Sequence, residues 1–268
     1  MQVLGLCRFS YPAIGGFQVE HDSIEDRIAF LYHEHRIEER FRLFEHVALP
    51  CLRAQTDGDV TLVIVIGDAM PKALRDRLHD ITADIPQIEI QSHPPRPQRE
   101  VMKEVLNKAR THPDEPCLQF RFDDDDAFAL NFIERLRKAE ADTRTLTQQY
   151  RSAAIDFCNG YVAQVGRHGI SAKQVYEHYF VAGLAMRVKG GDPLTIMNFA
   201  HTRLPRFMPT ITFSDEPMFV RTHSAFNDSR QDARRTKEVS VDPLTDDEEL
   251  EFLKRFAINA DHIRNAFG

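Results

Sequence analysis

The amino-acid sequence predicts an α/β fold: an open, mostly parallel sheet with flanking helices, followed by a β-rich second half and a C-terminal helix. Three observations support this prediction. Short apolar runs alternate with segments of helical hydrophobic spacing through the first 140 residues. The run at residues 60–66 (VTLVIVI) has no polar face, which is typical of a parallel strand covered on both sides. Glycine or charged residues follow several of these runs, at the edge where such sheets bind ligands.

Strands and helices alternate in the first half of the chain. Apolar runs of strand length cover residues 2–7, 60–66, 88–91 and 117–122. Segments with apolar residues at helical spacing cover residues 28–52, 71–81, 98–110 and 129–140. Polar residues directly follow three of the strands: Arg8, the pair Gly67 and Asp68, and four consecutive aspartates at 123–126. Because the carboxyl ends of parallel strands lie at one edge of a sheet, we expect these residues to lie close together.

The second half has the spacing of strands and one terminal helix. Asn159 and Gly160, between apolar residues, predict a hairpin turn. Further strand-like runs cover residues 179–188, 195–199, 210–213 and 218–222. Residues 228–244 are polar and predict a connection. Thr245 and Glu248 form a capping box for a helix. Its apolar stripe consists of Leu250, Leu253, Phe256, Ile263 and Phe267.

The composition excludes several classes of protein. The formal net charge is −7, whereas proteins that coat DNA or RNA are normally basic, so we expect no nucleic-acid partner. No run approaches about 18 consecutive apolar residues, so we expect no transmembrane helix. The N-terminus begins as a strand, without the basic start and longer apolar run of a secretory signal. The four cysteines, at positions 7, 51, 117 and 158, contain no C-x-x-C pair, which excludes zinc-finger and redox motifs. Three of the four lie in apolar surroundings, so we expect buried free thiols, which suit a reducing cytoplasm.

The four adjacent carboxylates at residues 123–126 need a counter-charge, because each neighbouring pair repels by roughly 1 kcal/mol at 4 Å in water. The run is held between two apolar segments, unlike an acidic tail. Side chains alternate along a strand, so we expect Asp123 and Asp125 to face one side of the sheet and Asp124 and Asp126 the other. A D-x-D pair that faces one way is a site for a hard divalent cation such as Mg²⁺ or Mn²⁺.

The acidic run at residues 123–126 has three other interpretations besides a metal site. A solvated acidic turn is the purely structural alternative. A calcium EF-hand loop that starts at Asp123 would place the required Glu134 at position 12. It would also place Ala127 and Phe128 at positions 5 and 6, which need a ligand and a glycine, so this motif is excluded. A D-x-D phosphotransferase nucleophile also follows a strand, although it usually follows the first one.

Four segments together carry a resemblance to a known family. They are residues 40–45 (RFRLFE), 49–56 (LPCLRAQT), 63–71 (VIVIGDAMP) and 120–128 (FRFDDDDAF). Together they resemble the bacterial rhamnosyltransferase family, which is similar to glycosyltransferases of the GT-A type. The resemblance covers most of residues 1–230.

The resemblance implies a GT-A-like fold that binds a nucleotide sugar. It implies a catalytic domain over residues 1–230, followed by a linker and the C-terminal helix over residues 231–268. Within that domain, residues 1–140 would bind the nucleotide sugar and residues 141–230 would bind the acceptor.

The resemblance also implies a metal site with Mn²⁺ or Mg²⁺ as the cofactor. Asp123 and Asp125 match the D-x-D metal motif, and Asp126 lies where the family often has another acid. A late histidine often completes the metal site in GT-A enzymes, and His223 matches it. Carboxylates with a neutral imidazole are a suitable ligand set for Mn²⁺.

Binding and catalysis have separate candidate residues. The candidates for binding the nucleotide sugar are Arg8, Asp68, Arg99, Arg121, Asp123 and Asp124. The arginines among them suit a diphosphate because guanidinium groups pair with phosphate in a bidentate fork. In an inverting enzyme a carboxylate would deprotonate the acceptor hydroxyl. The candidates for that catalytic role are Asp215, Glu216, Asp156 and Asp126.

The predicted function is transfer of a sugar, rhamnose by the family's label, from a nucleotide-diphosphate donor to a hydroxyl of a glycan, lipid or small molecule. One alternative is a metal-dependent phosphoesterase or nucleotidyltransferase that uses the same acids. Another is a non-catalytic module that binds sugar nucleotides. The C-terminal apolar stripe would pack on its own domain or against a second subunit in a homodimer.

Overall fold

The computed structural model describes residues 1–16, 21–223 and 240–268. Its strands in these ranges are β1 (Gln2–Arg8), β2 (Thr61–Gly67), β3 (Ile88–His93), β4 (Cys117–Phe122), β5 (Ala127–Phe128), β6 (Ser152–Phe157), β7 (Asn159–Gly166), β8 (Gly169–Tyr176), β9 (Leu184–Val188), β10 (Thr210–Phe213), β11 (Phe219–Thr222) and β12 (Asp242–Pro243). Its α-helices there are α1 (Ile24–Leu31), α2 (Glu34–Leu43), α3 (Leu49–Arg53), α4 (Lys72–Thr82), α5 (Gln98–Lys108), α6 (Phe132–Thr147), α7 (Asp246–Phe256) and α8 (Ala260–Phe267).

The larger sheet, as far as the structure describes the chain, has seven strands in the order β10-β6-β9-β4-β1-β2-β3. Neighbouring strands are parallel except at β9, which is antiparallel to both β4 and β6. The open, mostly parallel sheet with flanking helices predicted from the sequence is therefore confirmed. A smaller sheet, in the order β12-β8-β7-β11-β5, is built mostly from the second half of the chain.

Strand β2 shows how the larger sheet carries a hydrophobic core on each face. Leu62, Ile64 and Ile66 pack into one cluster, whereas Val63 and Val65 pack into the other. All five side chains are at most 1% exposed. The unbroken apolar run of this strand therefore reflects burial on both faces, as in other parallel sheets flanked by helices.

Phe128 lies at the centre of an aromatic cluster beneath the sheet. Its ring centroid is 5.5, 4.6 and 4.6 Å from those of Phe120, Phe122 and Phe132. Phe128→Ala is expected to lower the free energy of unfolding by about 3–5 kcal/mol, because it removes these contacts and leaves a cavity. Urea denaturation measures this loss. Leu146→Ala, at a position 65% exposed, is the control and should stay within about 0.5 kcal/mol of the parent. A loss below about 1 kcal/mol in Phe128→Ala would contradict this packing.

The predicted hairpin turn at Asn159 and Gly160 is wrong. These residues begin β7, and the turn comes later, where Gly166 pairs with Gly169 at the start of β8. A Cβ atom on residue 160 would lie 2.6 Å from the backbone oxygen of Phe219. The glycine therefore permits close strand packing rather than a turn.

The predicted strand at residues 195–199 is instead a short 3-10 turn. The Thr195 hydroxyl accepts a hydrogen bond from the N–H of Met197 at 3.3 Å, and the Asn198 side chain accepts one from the Thr195 N–H at 3.0 Å. Such local side-chain bonds compete with strand pairing. The remaining strand-like runs form β9, β10 and β11, and β9 begins later than predicted.

The C-terminal segment contains two helices rather than one. The capping box is confirmed, because the Thr245 hydroxyl accepts from the Glu248 N–H and the Glu248 carboxylate accepts from the Thr245 N–H. Helix α7 then ends at Ala257, whose φ of 57° is left-handed and turns the chain towards α8. Most of the polar connection predicted at residues 228–244, including the domain boundary at residue 230, lies outside the described residues.

The apolar stripe predicted for this segment is partly wrong. Leu250 and Leu253 are 46% and 40% exposed, whereas Phe252 and Phe256 are buried in the core beside the smaller sheet. Phe252 and Phe256 are four residues apart and therefore share one face of the helix. The homodimer stays a prediction. All four cysteines are buried and unpaired, as predicted. No helix in the described ranges is long and apolar enough to cross a membrane.

Candidate functional site

Residues from several strands meet at the carboxyl edge of the larger sheet. β1 and β4 pair in parallel with Cys7 opposite Phe122. The next residues, Arg8 at the end of β1 and Asp123 just after β4, therefore lie side by side at this edge. Together with Arg121 they line a small cavity with a volume of about 30 Å³. Its lining also includes Leu6, Gln98, Met102 and Met197. The expectation that polar residues gather at this edge is met by Arg8 and Asp123.

The four aspartates form a turn instead of continuing the strand. β4 ends at Phe122, and the N–H of Asp126 donates to the carbonyl of Asp123 at 3.1 Å. The expected alternation of the four carboxylates is therefore wrong, because it assumed an extended backbone. Asp124 and Asp125 both bind the same buried arginine, whereas Asp123 faces the cavity.

Arg40 of α2 is the arginine that neutralises these two aspartates. Its Nε lies 3.2 Å from Oδ2 of Asp124, its Nη1 lies 3.0 Å from Oδ2 of Asp125, and its Nη2 also contacts Asp124. Arg40, Asp124 and Asp125 are 4%, 4% and 6% exposed, so the ion pairs lie in the interior. Asp124, predicted to bind the nucleotide sugar, therefore stabilises the turn through its buried ion pair with Arg40.

Arg40 was not among the predicted site residues, because its partners are 84 and 85 residues away in sequence. One signal was available. Arg40 lies three residues after Ile37 and one before Phe41, on the apolar face of a helical pattern. An arginine at a buried position almost always has an acidic partner. The aspartate run, which needed a counter-charge, was the candidate partner for Arg40.

Asp126 ties the aspartate turn to the smaller sheet. Its Oδ1 accepts from the N–H of Thr222 at 3.1 Å, and the Thr222 hydroxyl donates to the carbonyl of Asp125 at 2.6 Å. Burial raises the pKa of Asp126 well above its usual range, the charges of Asp125 and Asp123 raise it further, and Arg221 opposes them. Asp126 is 3% exposed, which favours a structural role over the predicted catalytic one.

Arg121 lies within electrostatic range of the cavity carboxylate Asp123 and of three other arginines. Burial lowers the pKa of Arg121, the Asp123 carboxylate opposes this, and Arg8, Arg99 and Arg221 lower it further. The Arg8 side chain also donates to the Gly16 carbonyl at 3.2 Å. The Arg221 guanidinium lies 4.9 Å from the centroid of the Phe180 ring. The cluster brings predicted residues Arg8, Arg99 and Arg121 together with Arg221, which was not predicted.

His223 lies beside the same cluster. Burial and the Arg221 charge lower its pKa, and Asp125 opposes them, so the imidazole is favoured in its neutral form. The residues predicted to hold a metal, Asp123, Asp125 and His223, do not form a three-residue ligand group in the described part of the chain.

Asp68 lies at the end of β2, where its N–H donates to the carbonyl of His93 at 3.0 Å. Its side chain is exposed. The pKa of Tyr32 is raised by burial and, to a lesser degree, by the Asp68 charge. Tyr11, which is also near Asp68, has its pKa raised mainly by burial. The exposed Asp68 carboxylate therefore lies within electrostatic range of two tyrosines.

Asp215 and Glu216, predicted as catalytic bases, are held in ion pairs. Arg135, in the first turn of α6, lies 2.6 Å from Oδ2 of Asp215 and 3.1 Å from Oε1 of Glu216. Arg255 of α7 lies 3.1 Å from the other Glu216 oxygen. These contacts join the C-terminal helix to α6. The geometry supports a structural role for both acids and no catalytic one.

Asp156, the other predicted base, is fully buried at the end of β6. Its carboxylate accepts hydrogen bonds from the N–H of Tyr179 at 2.9 Å, from the Thr212 hydroxyl at 3.1 Å and from Nδ1 of His178 at 3.1 Å. Its exposure is 0%, so an acceptor hydroxyl does not reach it directly. His178 was not predicted, because its partner is 22 residues away on another element.

A sequence-family model whose description is that of a sugar transferase matches nearly the whole chain. The chain belongs to the family described as "putative rhamnosyl transferase", whose model matches residues 2–236. The resemblance stated from the sequence is therefore confirmed. No curated protein matches the chain.

Similar solved structures are distant in sequence. Residues 1–349 of TarS from S. aureus, in complex with UDP-GlcNAc, share 11% identity with a TM-score of 0.46. The match covers 85% of this chain and 60% of that one, so the chain spans well under two thirds of the TarS fragment. A putative nucleotide-diphospho-sugar transferase from Desulfovibrio desulfuricans G20 shares 13% identity over 84% of this chain and 83% of that one, with a TM-score of 0.39.

Proposed function

We propose that this chain transfers a sugar from a nucleotide-diphosphate donor to an acceptor hydroxyl, with rhamnose as the first sugar to test. The observation that supports this most is the cavity at the carboxyl edge of the sheet where Arg8 and Arg121 lie beside Asp123, with Arg99 and Arg221 within electrostatic range of Arg121. Guanidinium groups bind phosphate oxygens in bidentate pairs, and open α/β sheets bind ligands at this edge. The donor diphosphate would therefore lie beside Arg8, Arg121 and Asp123.

The proposal includes a divalent cation, Mn²⁺ or Mg²⁺. Asp123 and Asp125 would hold it, with His223 as a nitrogen ligand, and this donor set suits either ion. One oxygen of Asp125 is bonded to Arg40 at 3.0 Å, which leaves the other oxygen of that carboxylate for a cation. Such ions are often held by one or two carboxylates together with the substrate phosphates, so fewer than three protein ligands suffice. When bound, the cation would offset negative charge on the leaving diphosphate.

The experiment that tests this function measures release of nucleoside diphosphate by the full chain. The donors are dTDP-rhamnose, UDP-glucose, UDP-N-acetylglucosamine and GDP-mannose, each with Mn²⁺, with Mg²⁺ and with EDTA, and water serves as the acceptor. Release of a nucleoside diphosphate from one donor supports the proposal, and loss of that release in EDTA supports the cation.

Two other outcomes would contradict the proposed function. Release of a nucleoside monophosphate together with a sugar 1-phosphate would instead indicate a phosphoesterase that cleaves the diphosphate bond. Binding of a donor without any turnover would indicate a module that only binds sugar nucleotides.

A further inference from the structure

His178 and Asp156 form a pair with the geometry of an oriented base. The Asp156 carboxylate is fully buried, whereas the His178 side chain is 59% exposed, so the pair reaches from the interior to the surface. An ionised carboxylate can only accept hydrogen bonds. Nδ1 of His178, 3.1 Å from Oδ2 of Asp156, therefore carries the proton, and the lone pair of a neutral imidazole lies on Nε2.

Two further hydrogen bonds fix the Asp156 carboxylate in place. The Tyr179 N–H donates to Oδ1 at 2.9 Å, and the Thr212 hydroxyl on β10 donates to Oδ2 at 3.1 Å. Three donors from two parts of the chain, residues 178–179 and β10, therefore hold a carboxylate at the end of a strand. A base oriented by such a group keeps one tautomer and one direction.

This pair lies on the same face of the sheet as the arginine cluster. Phe120 of β4 is opposite Ala185 of β9, and Leu184 of β9 is opposite Asp156 of β6. Arg121 and Asp156 therefore lie at the same position along the strand direction, one on each side of Leu184 in β9. Two strand spacings place the backbones of these two residues roughly 10 Å apart.

A second contact links the two regions. Nδ1 of His201 donates to the carbonyl of Tyr179, the residue after His178, at 2.7 Å. The pKa of His201 is lowered mainly by burial and also by Arg121 and Arg221, while Asp123 opposes them. His201 therefore lies between the segment that carries His178 and the cluster around Asp123.

We propose that His178 is the catalytic base that deprotonates the acceptor hydroxyl, and that Asp156 is its positioning residue. This inference rests on the proposed function, because it requires a donor sugar beside Arg121. It replaces the four carboxylates predicted for this role, of which Asp215 and Glu216 are held in ion pairs and Asp156 and Asp126 are buried.

The step balances as a single displacement. The acceptor oxygen forms a bond to the anomeric carbon, and its proton moves to Nε2 of His178. The bond between the anomeric carbon and the diphosphate oxygen breaks, and its electron pair leaves with the nucleoside diphosphate. The imidazolium then returns its proton to solvent through its exposed edge. Attack from the side opposite the leaving group inverts the anomeric configuration.

The charged and titratable groups that face His178 in the described residues are few. Asp156 contacts it from β6, and the ring of Tyr179 lies 5.7 Å away between centroids. Thr212 contributes only a neutral hydroxyl to the Asp156 carboxylate from β10. Asp156 is therefore the charged side chain that contacts His178 within the described ranges.

The test compares kcat for nucleoside diphosphate release in His178→Gln, Asp156→Asn and the parent chain, with dTDP-rhamnose, UDP-glucose and UDP-N-acetylglucosamine as donors and water as the acceptor. His168→Gln, at an exposed histidine in the turn after β7, is the matched control. We expect His178→Gln to lower kcat by about 10²- to 10⁴-fold and to lose the acid limb of the pH–rate profile. Its donor dissociation constant should stay unchanged. Added imidazole should restore part of the activity of His178→Ala, which a purely structural role would not produce.

Asp156→Asn should also lower kcat without weakening donor binding, because its amide can donate to Nδ1 and favour the wrong tautomer. If this variant unfolds, His178→Gln and the imidazole rescue decide the question. A kcat for His178→Gln within about tenfold of the parent overturns the inference alone. A parent chain that turns over none of the donors overturns both the proposed function and this inference.

Discussion

Arg40→Met is expected to lower the free energy of unfolding by about 3–5 kcal/mol, the usual cost of removing one partner from a buried ion pair. Arg40 is the arginine that contacts both Asp124 and Asp125, and all three residues are at most 6% exposed. Methionine fills much of the same volume but leaves two carboxylates in the interior without their counter-charge. Urea denaturation at neutral pH measures the loss.

A comparison with an exposed arginine separates charge burial from lost packing. Arg53→Met removes a pair with Asp84 whose side chains are 37% and 62% exposed, and should leave the denaturation midpoint nearly unchanged. Equal losses for the Arg40 and Arg53 variants would contradict the buried role of Arg40.

Asp123→Asn is expected to reduce turnover of the nucleotide sugar by about a hundredfold or more without destabilising the fold. Asp123 lines the cavity beside Arg8 and Arg121, whereas Asp124 and Asp125 are the aspartates that bind Arg40. Asp123 would hold the cation that offsets negative charge on the leaving diphosphate, so its loss is expected to cost several kcal/mol in the transition state. Each 1.4 kcal/mol is about tenfold in rate. Release of nucleoside diphosphate measures the effect.

The neighbouring aspartates provide the control for this prediction. Asp124→Asn should destabilise the chain, because it removes a partner of Arg40. Asp142→Asn, on the exposed face of α6 beside Lys138, should change neither rate nor stability. An Asp123→Asn variant that keeps the parent's turnover would show that the cavity carboxylate has no part in the reaction.

The sequence alone was sufficient for the larger sheet and for the edge that carries the site. The apolar run of β2 and the aspartates after β4 have local signals, namely hydrophobic periodicity and charge. The direction in which each aspartate side chain points was not predictable from local signals. It depends on the turn closed by Asp126 and on Arg40, which lies more than 80 residues earlier.

The catalytic base was the part least accessible to sequence analysis. Asp215 and Glu216 stood out as adjacent acids before a proline, but their arginine partners lie on α6 and α7. His178 has no local pattern that marks it, and only the pairing of β6 with β9 brings Asp156 close to the arginine cluster. In both cases tertiary contacts decide the role of the side chain.

The arginines and Asp123 at the carboxyl edge are expected to bind a nucleoside diphosphate. Calorimetric titration of UDP and dTDP into the chain, with and without Mn²⁺, measures this binding. We expect binding that Mn²⁺ tightens and that Arg121→Met weakens by at least about tenfold, or about 1.4 kcal/mol, while Arg203→Met, at an exposed arginine, leaves it unchanged. Absence of binding by either nucleotide, or equal affinity in the parent and Arg121→Met, would contradict it.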